Sequence, residues 1–129
     1  MLQVTKNIKP EFVDERGGIT KILDDGKTVI RSVLKISSKK GSVRANHYHK
    51  KDAHYAYVMS GRMEYTEAPA DAPERSESVV LEAGDMVFSP PMTIHRMRFL
   101  EDSVFFALAT ESRAQEDYEA DTVRVTLPH

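Results

Sequence analysis

Cysteine is absent from this chain of 129 residues. It can therefore form no disulfide, thiolate zinc site or iron–sulfur cluster, so histidine or oxygen ligands must hold any metal. The net charge is -2, which argues against a strongly basic nucleic-acid binder. The chain also lacks a long apolar run and an N-terminal signal-peptide core. These absences predict a cytoplasmic chain that binds neither nucleic acid nor membrane.

Short strands separated by turns account for most of the sequence, and the length suits one domain over 1–129. Most of the runs alternate or are rich in β-branched and aromatic residues. The predicted strands are 19–23, 28–36, 43–49, 54–59, 63–66, 78–81, 86–89, 93–100, 104–109 and 122–127. The stretch 67–76 is predicted to be a loop and 113–119 a short helix. This pattern is typical of an all-β sandwich or barrel.

Four of the five histidines lie on or beside these predicted strands. His47 and His49 are two residues apart, so a strand presents both imidazoles on one face. His54 follows a short connection at the start of the next strand, and His95 lies near the start of a later one. The fifth, His129, is the last residue, and we expect it to be exposed to solvent.

The histidines and the flanking glycines resemble the first motif of the cupin superfamily. That motif runs Gly, five residues, His-x-His, three or four residues, Glu, six residues, Gly. It is matched here by Gly41, His47, His49 and Gly61. His54 stands where the family usually has a glutamate.

A second cupin motif runs Gly, five residues, Pro-x-Gly, two residues, His, three residues, Asn. Gly84, Pro90 and His95 match it, whereas Met92 replaces its glycine and Phe99 replaces its asparagine. Both motifs lie within 41–99. The resemblance implies an all-β, single-domain, RmlC-like cupin, which is a double-stranded β-helix or jelly-roll barrel.

The resemblance also implies a metal site built from the motif histidines. One divalent ion (Zn, Fe, Ni, Mn or Cu) would take His47, His49, His54 and His95 as ligands, and imidazole does not select among these metals. Four neutral ligands leave the ion its full positive charge, which strengthens it as a Lewis acid and favours anionic small molecules. Binding should weaken at low pH as the imidazoles become protonated.

A narrower resemblance bears on the substrate. The segment 14–17 and the run from Arg44 to Tyr48 are similar to nucleotide-sugar 3,5-epimerases, and 44–49 is similar to cupin domains of capsular polysaccharide synthesis. By this resemblance Arg16 and Arg44 would bind the substrate or its phosphates, and Tyr57 is a third candidate substrate-binding residue. Bidentate guanidinium pairing suits a diphosphate.

Three functions follow as alternatives. The chain is predicted to be an enzyme acting on a carbonyl-containing anionic substrate, in the manner of a sugar-nucleotide isomerase or epimerase; the alternatives are an O₂-dependent dioxygenase and a non-catalytic ligand-binding module. Catalytic residues stay unassigned, because no tyrosine falls in the late segment that matches the acid of the epimerases. We also expect a homodimer, since an open sandwich leaves edge strands to cover.

Overall fold

The computed structural model describes residues 1–125 and 127. His129, which we expect to be exposed, and Thr126, which belongs to the predicted strand 122–127, lie outside the described residues. One helix of seven residues is described, and no described helix is long and apolar enough to cross a membrane. The elements are β1 (Gln3–Thr5), β2 (Phe12–Asp14), β3 (Gly17–Ile19), β4 (Ser32–Ser38), β5 (Val43–His49), β6 (His54–Ser60), β7 (Arg62–Pro69), β8 (Glu77–Glu82), β9 (Met86–Ser89), β10 (Thr93–Phe99), β11 (Ser103–Ala109), α1 (Gln115–Asp121) and β12 (Thr122–Arg124).

The prediction of an all-β chain is confirmed. Among the described residues, β1, β9, β6, β11 and β4 form a first sheet in that order, and β12, β5, β10, β7 and β8 form a second sheet. Each neighbouring pair is antiparallel. The main apolar core draws on both sheets, which therefore pack face to face; it contains Ala56, Val58, Met63, Tyr65, Leu81, Val87, Met97, Phe99 and Phe105.

Differences from the predicted elements concentrate near the N-terminus and at one hairpin. The predicted strand 19–23 is replaced by β3, because Gly17–Ile19 pairs with the unpredicted β2. β1 was also not predicted, since three residues are too short to show an alternating pattern. The predicted loop 67–76 begins later, because the ladder between β7 and β10 continues as far as Pro69. The helix begins two residues later than predicted.

A bulge in β5 lies directly before the first motif histidine. Ala45 and Asn46 have φ angles of 73° and 58°, values that non-glycine residues seldom adopt. Opposite them, the pairing with β10 shifts from His95–His47 to Arg96–Ala45. Asn46 is therefore an extra residue in the strand, and bulges of this kind re-aim side chains beside functional sites.

The glycine at the end of the first motif is required by close packing. Gly61 joins β6 to β7 with a φ of 86°. A Cβ atom there would clash with the carbonyl oxygen of Asp102 and with Ser103. Because only glycine combines a positive φ with the absence of a Cβ, this turn explains the motif glycine in physical terms.

Candidate metal and substrate site

The two sheets bring the four motif histidines together at one end of the barrel interior. His47 and His49 lie on β5, His95 lies on the neighbouring β10, and His54 comes from β6 in the opposite sheet. The ring centroids of His47 lie 4.7 Å from those of His49 and His95, and the His54 centroid also lies 4.7 Å from that of His95. The His49 and His54 rings, 5.8 Å apart, close the circle.

Burial keeps these imidazoles neutral. None of the four residues is more than 9% exposed. Burial lowers the pKa of His47 to about 4 and that of His54 to about 3, and it also lowers the pKa of His49 and of His95. A neutral imidazole carries a free lone pair, which is the form that binds a metal.

Hydrogen bonds orient two of the rings with one nitrogen toward the cluster. His95 Nδ1 lies 3.3 Å from the carbonyl oxygen of Thr93, which can only accept, so Nδ1 carries the proton. His49 Nδ1 lies 3.3 Å from Thr122 Oγ1, and this hydroxyl gives its own hydrogen to the carbonyl of Tyr118 at 2.6 Å. His49 Nδ1 is therefore also the donor. In both rings the lone pair is left on Nε2, as a metal ligand requires.

The donor atoms form two overlapping groups, which share His49. One contains His47, His49 and His95, and the other contains His49, Asp52 and His54; within each group the ligand atoms lie within 4.8 Å of one another. Two nitrogen ligands of one zinc ion, each about 2.0–2.1 Å from the metal, lie at most about 4.2 Å apart, so a small inward shift of these side chains would bring each group onto one ion. The residues therefore fit a divalent metal ion, and a carboxylate stands beside the four imidazoles.

Asp52 is held rigidly in this position. Its Oδ1 accepts hydrogen bonds from the backbone N–H of Thr110, from the Thr110 hydroxyl and from the backbone N–H of Glu111, at 3.1–3.2 Å. Burial raises the pKa of the Asp52 carboxyl, while the neighbouring His49 and these hydrogen bonds oppose the rise. The site thus includes a carboxylate beside the imidazoles, which the all-histidine interpretation of the sequence left out.

A cavity of about 150 Å³ opens beside the histidines. Its inner wall is apolar and comes from both sheets. Its outer rim contains Arg113 and Tyr118, which belong to the segment around α1. The Tyr118 ring centroid lies 5.5 Å from that of His49 and 6.3 Å from that of His47. The lining residues are Leu34, Ile36, Arg44, Ala45, His47, His49, Asp52, His54, His95, Met97, Phe105, Ala107, Ala109, Arg113 and Tyr118.

The three predicted substrate-binding residues lie in different places. Arg44 lines the cavity; its Nε donates to Ser38 Oγ at 2.7 Å and its Nη2 donates to the carbonyl of Ser37 at 2.9 Å. Arg16 lies on the exposed β2–β3 hairpin and pairs with Asp14. Tyr57 alternates with the inward-facing residues of β6. Neither Arg16 nor Tyr57 lines the cavity among the described residues.

Three site residues were missed by the sequence analysis. Asp52 stood in what was interpreted as a plain connection, although an acidic residue between two histidine positions is a usable signal for a metal site. Arg113 and Tyr118 lie about sixty residues further along the chain, in the segment that the sequence predicts only as a short helix. No local spacing could place them beside His49, because their position depends on how the chain returns to β5 as β12.

Comparison with protein families identifies the fold. A family model described as a cupin domain matches residues 35–110. The chain belongs to the cupin family, and the predicted double-stranded β-helix is confirmed. Comparison with curated protein sequences gave no significant match.

Several solved structures share the fold over nearly the whole chain. The sugar 3,4-ketoisomerase QdtA from Thermoanaerobacterium thermosaccharolyticum, in complex with TDP, is 21% identical, with a TM-score of 0.75, covering 95% of this chain and 87% of that one. A mutant of QdtA in complex with TDP-4-keto-6-deoxyglucose is 20% identical with the same TM-score, covering 95% and 86%.

An epimerase structure is also similar. The dTDP-4-dehydrorhamnose 3,5-epimerase from Bacillus anthracis, with TDP and PPi bound, is 16% identical with a TM-score of 0.73, covering 89% of this chain and 75% of that one. At these identities the likeness establishes the fold, and the chemistry must be argued from the site itself.

Proposed function

We propose that this chain is a metal-dependent cupin isomerase or epimerase acting on a keto sugar linked to a nucleoside diphosphate. The observation that carries the proposal is the circle of four buried, neutral imidazoles around one end of a small cavity. Four neutral imidazoles at one end of a cavity offer several nitrogen lone pairs to a single bound ion. The substrate class is supported by the sugar ketoisomerases and epimerases that share the fold.

The histidines would hold the ion, with Nε2 of His49 and of His95 aimed at it by their Nδ1 hydrogen bonds. When bound, the ion supplies a Lewis acid for a carbonyl oxygen. The apolar wall formed by Leu34, Ile36 and Phe105 excludes water from the carbon next to that carbonyl.

Asp52 is the residue we assign to proton transfer. An isomerisation next to a carbonyl removes a proton from carbon and returns it to carbon, so it needs a base but no oxidant. Asp52 lines the cavity and has a pKa raised by burial, which brings a carboxylate closer to the range in which it exchanges protons at neutral pH. Its Oδ1 is occupied by three donors, which leaves Oδ2 for the substrate.

Elemental analysis of chelator-free protein tests the metal. We expect about one divalent ion per chain in the wild type and in Arg75→Ala, an exposed control in the β7–β8 turn, and none in the double variant His49→Ala, His95→Ala. A wild type and a double variant that both lack metal would remove the basis of the proposal.

Turnover separates the three functional classes. TDP-4-keto-6-deoxyglucose is incubated with the metal-loaded protein in D₂O, under air and under nitrogen. Deuterium incorporation next to the carbonyl, equal in both atmospheres, supports the isomerase. Oxygen consumption with loss of the sugar would instead indicate a dioxygenase, and binding without exchange a ligand-binding module.

A homodimer is also proposed, from the β2–β3 hairpin. Its two strands pair with each other and, among the described residues, with no other strand. It carries Phe12, Val13 and Ile19, which are 60–73% exposed. β4 is an edge strand of the first sheet and exposes Val33. A second copy of the chain offers the same open edge and apolar side chains. Its contact would cover the unpaired edge strand and remove the apolar surface from water.

A further inference from the structure

We call the entrance of the cavity the mouth. The segment from Arg113 to Tyr118 forms one side of it. The Arg113 Cζ lies 3.8 Å from the centroid of the Tyr118 ring, so the guanidinium stacks on the phenol. Such a stack is favourable for arginine and limits its rotation. Both side chains line the cavity, and Arg113 is exposed on its outer side.

Hydrogen bonds of Asp121 and Thr122, which follow this segment, connect it to the histidines. Thr122 Oγ1 donates to the carbonyl of Tyr118 and lies against His49 Nδ1. The Asp121 carboxylate accepts from the backbone N–H of Lys51 and of Asp52, at 2.8 and 3.0 Å. α1 is thereby attached at its C-terminal end to the same connection that carries Asp52. Tyr118 is held at a set position relative to the site.

Arg113 places an unneutralised positive charge at the mouth. Within the described part of the chain it forms no ion pair, whereas Arg124 and Arg31 both do. The other arginine of the cavity lining, Arg44, already donates to Ser38 and Ser37.

A sugar nucleotide is larger than the cavity, so one part of it would lie inside and the other part outside. Pockets that enclose a whole drug-sized ligand measure roughly 300–1,000 Å³, and this cavity measures about 150 Å³. The cavity is therefore too small for a whole sugar nucleotide, and we place the reacting sugar in it. A groove of about 430 Å³ lies outside and shares Asp52 and Tyr118 with the cavity. A ligand that continues from one space to the other passes Tyr118 and the guanidinium stacked on it.

We propose that Arg113, seated on the Tyr118 ring, binds the diphosphate of the substrate at the mouth and selects for substrates that carry this anion. The assignment rests on the proposed function, since it places the sugar inside the cavity. A planar guanidinium can donate two parallel hydrogen bonds to phosphate oxygens. The uncharged nucleoside then lies in the outer groove, whose lining mixes basic residues such as Lys50 and Lys51 with acidic ones such as Asp117 and Asp121.

Binding of TDP, measured by calorimetry on metal-loaded and on chelator-treated protein, tests the assignment. We expect Arg113→Met to weaken TDP binding at least about tenfold in both preparations, with Arg113→Lys intermediate and Tyr118→Leu also weakened. Tyr118→Phe, which keeps the stack, and Arg75→Met, the exposed control, should match the wild type. Uncharged thymidine should bind Arg113→Met and the wild type equally.

Different results would overturn the role of Arg113 and the proposed metal-dependent function. Equal TDP affinity of Arg113→Met and Arg75→Met would overturn the assignment of Arg113, and so would a wild type that does not bind TDP. Metal content, measured on the same samples, reports on the proposed function and should be unchanged by Arg113→Met. A uniform loss for thymidine and TDP alike would show that Arg113 has a structural role, and this too would overturn the assignment.

Discussion

The hydroxyl of Thr122 lies 3.3 Å from Nδ1 of His49 and can act toward it only as an acceptor. Its hydrogen is given to the carbonyl of Tyr118 at 2.6 Å. The proton of the imidazole must therefore be on Nδ1, and the lone pair on Nε2 faces the other histidines. A residue at the start of the last described strand thus sets the tautomer of a residue on β5, its antiparallel partner.

Replacing this hydroxyl should weaken metal binding. Thr122→Val keeps the shape but removes the hydrogen-bond acceptor of His49 Nδ1, which leaves only the more distant Asp121 carboxylate, at 3.7 Å, to favour that tautomer. We expect a roughly 10- to 100-fold lower metal affinity, measured by competition with a chromogenic chelator. Thr122→Ser, which keeps the hydroxyl, serves as the control and should bind nearly as well as the wild type. Equal affinities of Thr122→Val and Thr122→Ser would show that the contact does not support the site.

The metal-free protein should lose stability in mild acid. An unfolded imidazole titrates near pH 6.5, whereas burial lowers the pKa of His47 to about 4 and of His54 to about 3. Below pH 6.5 the unfolded chain therefore binds more protons than the folded one. Stability is complete above pH 6.5 and declines as the pH falls toward the folded pKa values, by up to about 1.4 kcal/mol per pH unit for each histidine.

Urea unfolding of chelator-treated protein between pH 7.5 and 4.5 measures this decline. The double variant His47→Gln, His54→Gln removes two of the four titrating groups, and its profile should be shallower. A wild-type stability that is flat across this range would contradict the neutral assignment of the cluster.

Asp52→Asn should separate metal binding from turnover. The amide oxygen can still accept from Thr110 and Glu111, and the four imidazoles, which we propose as the ligands, are untouched, so the metal content should stay near that of the wild type. Removing the base should lower the rate of deuterium exchange at least about 100-fold, in the range of general-base catalysis. Asp71→Asn, in the exposed turn after β7, is the matched control. An unchanged exchange rate would exclude Asp52 as the base.

Replacing two different glycines by alanine should lower the stability of the fold by different amounts. Gly61 and Gly26 both have positive φ, 86° and 72°, so Ala loses roughly 1–2 kcal/mol at either position. At Gly61 the new Cβ also meets Asp102 and Ser103, whereas at Gly26 it meets nothing within 4 Å. Overpacking adds about 1–3 kcal/mol at Gly61 alone. Thermal unfolding should rank Gly61→Ala well below Gly26→Ala, and equal melting temperatures would contradict this packing argument.

The proposed dimer should depend on the β2–β3 hairpin. Phe12→Glu places a charge on the exposed apolar surface and should shift the protein toward monomer in size-exclusion chromatography with light scattering. Val80→Glu adds the same charge on β8, at the edge of the second sheet, and should leave the assembly unchanged. A monomeric wild type, or dissociation by both substitutions, would remove the hairpin from the interface.

Much of the barrel was predictable because its signals are local. The positions of His47 and His49 on one face follow from the two-residue period of a strand, and the structure places both in the cavity wall. Met97 and Phe99 share a face with His95 by the same rule, and both lie in the core. The turn at Gly61 has a positive φ that glycine readily adopts.

The residues that the sequence did not place are those whose position depends on distant parts of the chain. The hairpin that carries Arg16 is exposed and does not line the cavity, and Tyr57 alternates with the inward-facing residues of β6. Tyr118 reaches the cavity because β12 pairs with β5, which brings α1 back over the histidines. Such pairings join residues about seventy positions apart, and no short-range pattern encodes them.

The sequence by itself determined the all-β class, the turn glycines and the four histidines with the strand faces that carry them, since periodicity and backbone sterics act between near neighbours. The tertiary structure decided what surrounds those histidines. Packing of the two sheets against each other brought His54 opposite His95, contacts with Thr110 and Glu111 fixed Asp52 beside them, and the return of the chain to β5 added Thr122, Tyr118 and Arg113. Charge and proton position at a site depend on every group packed against it, and only the folded chain brings those groups together.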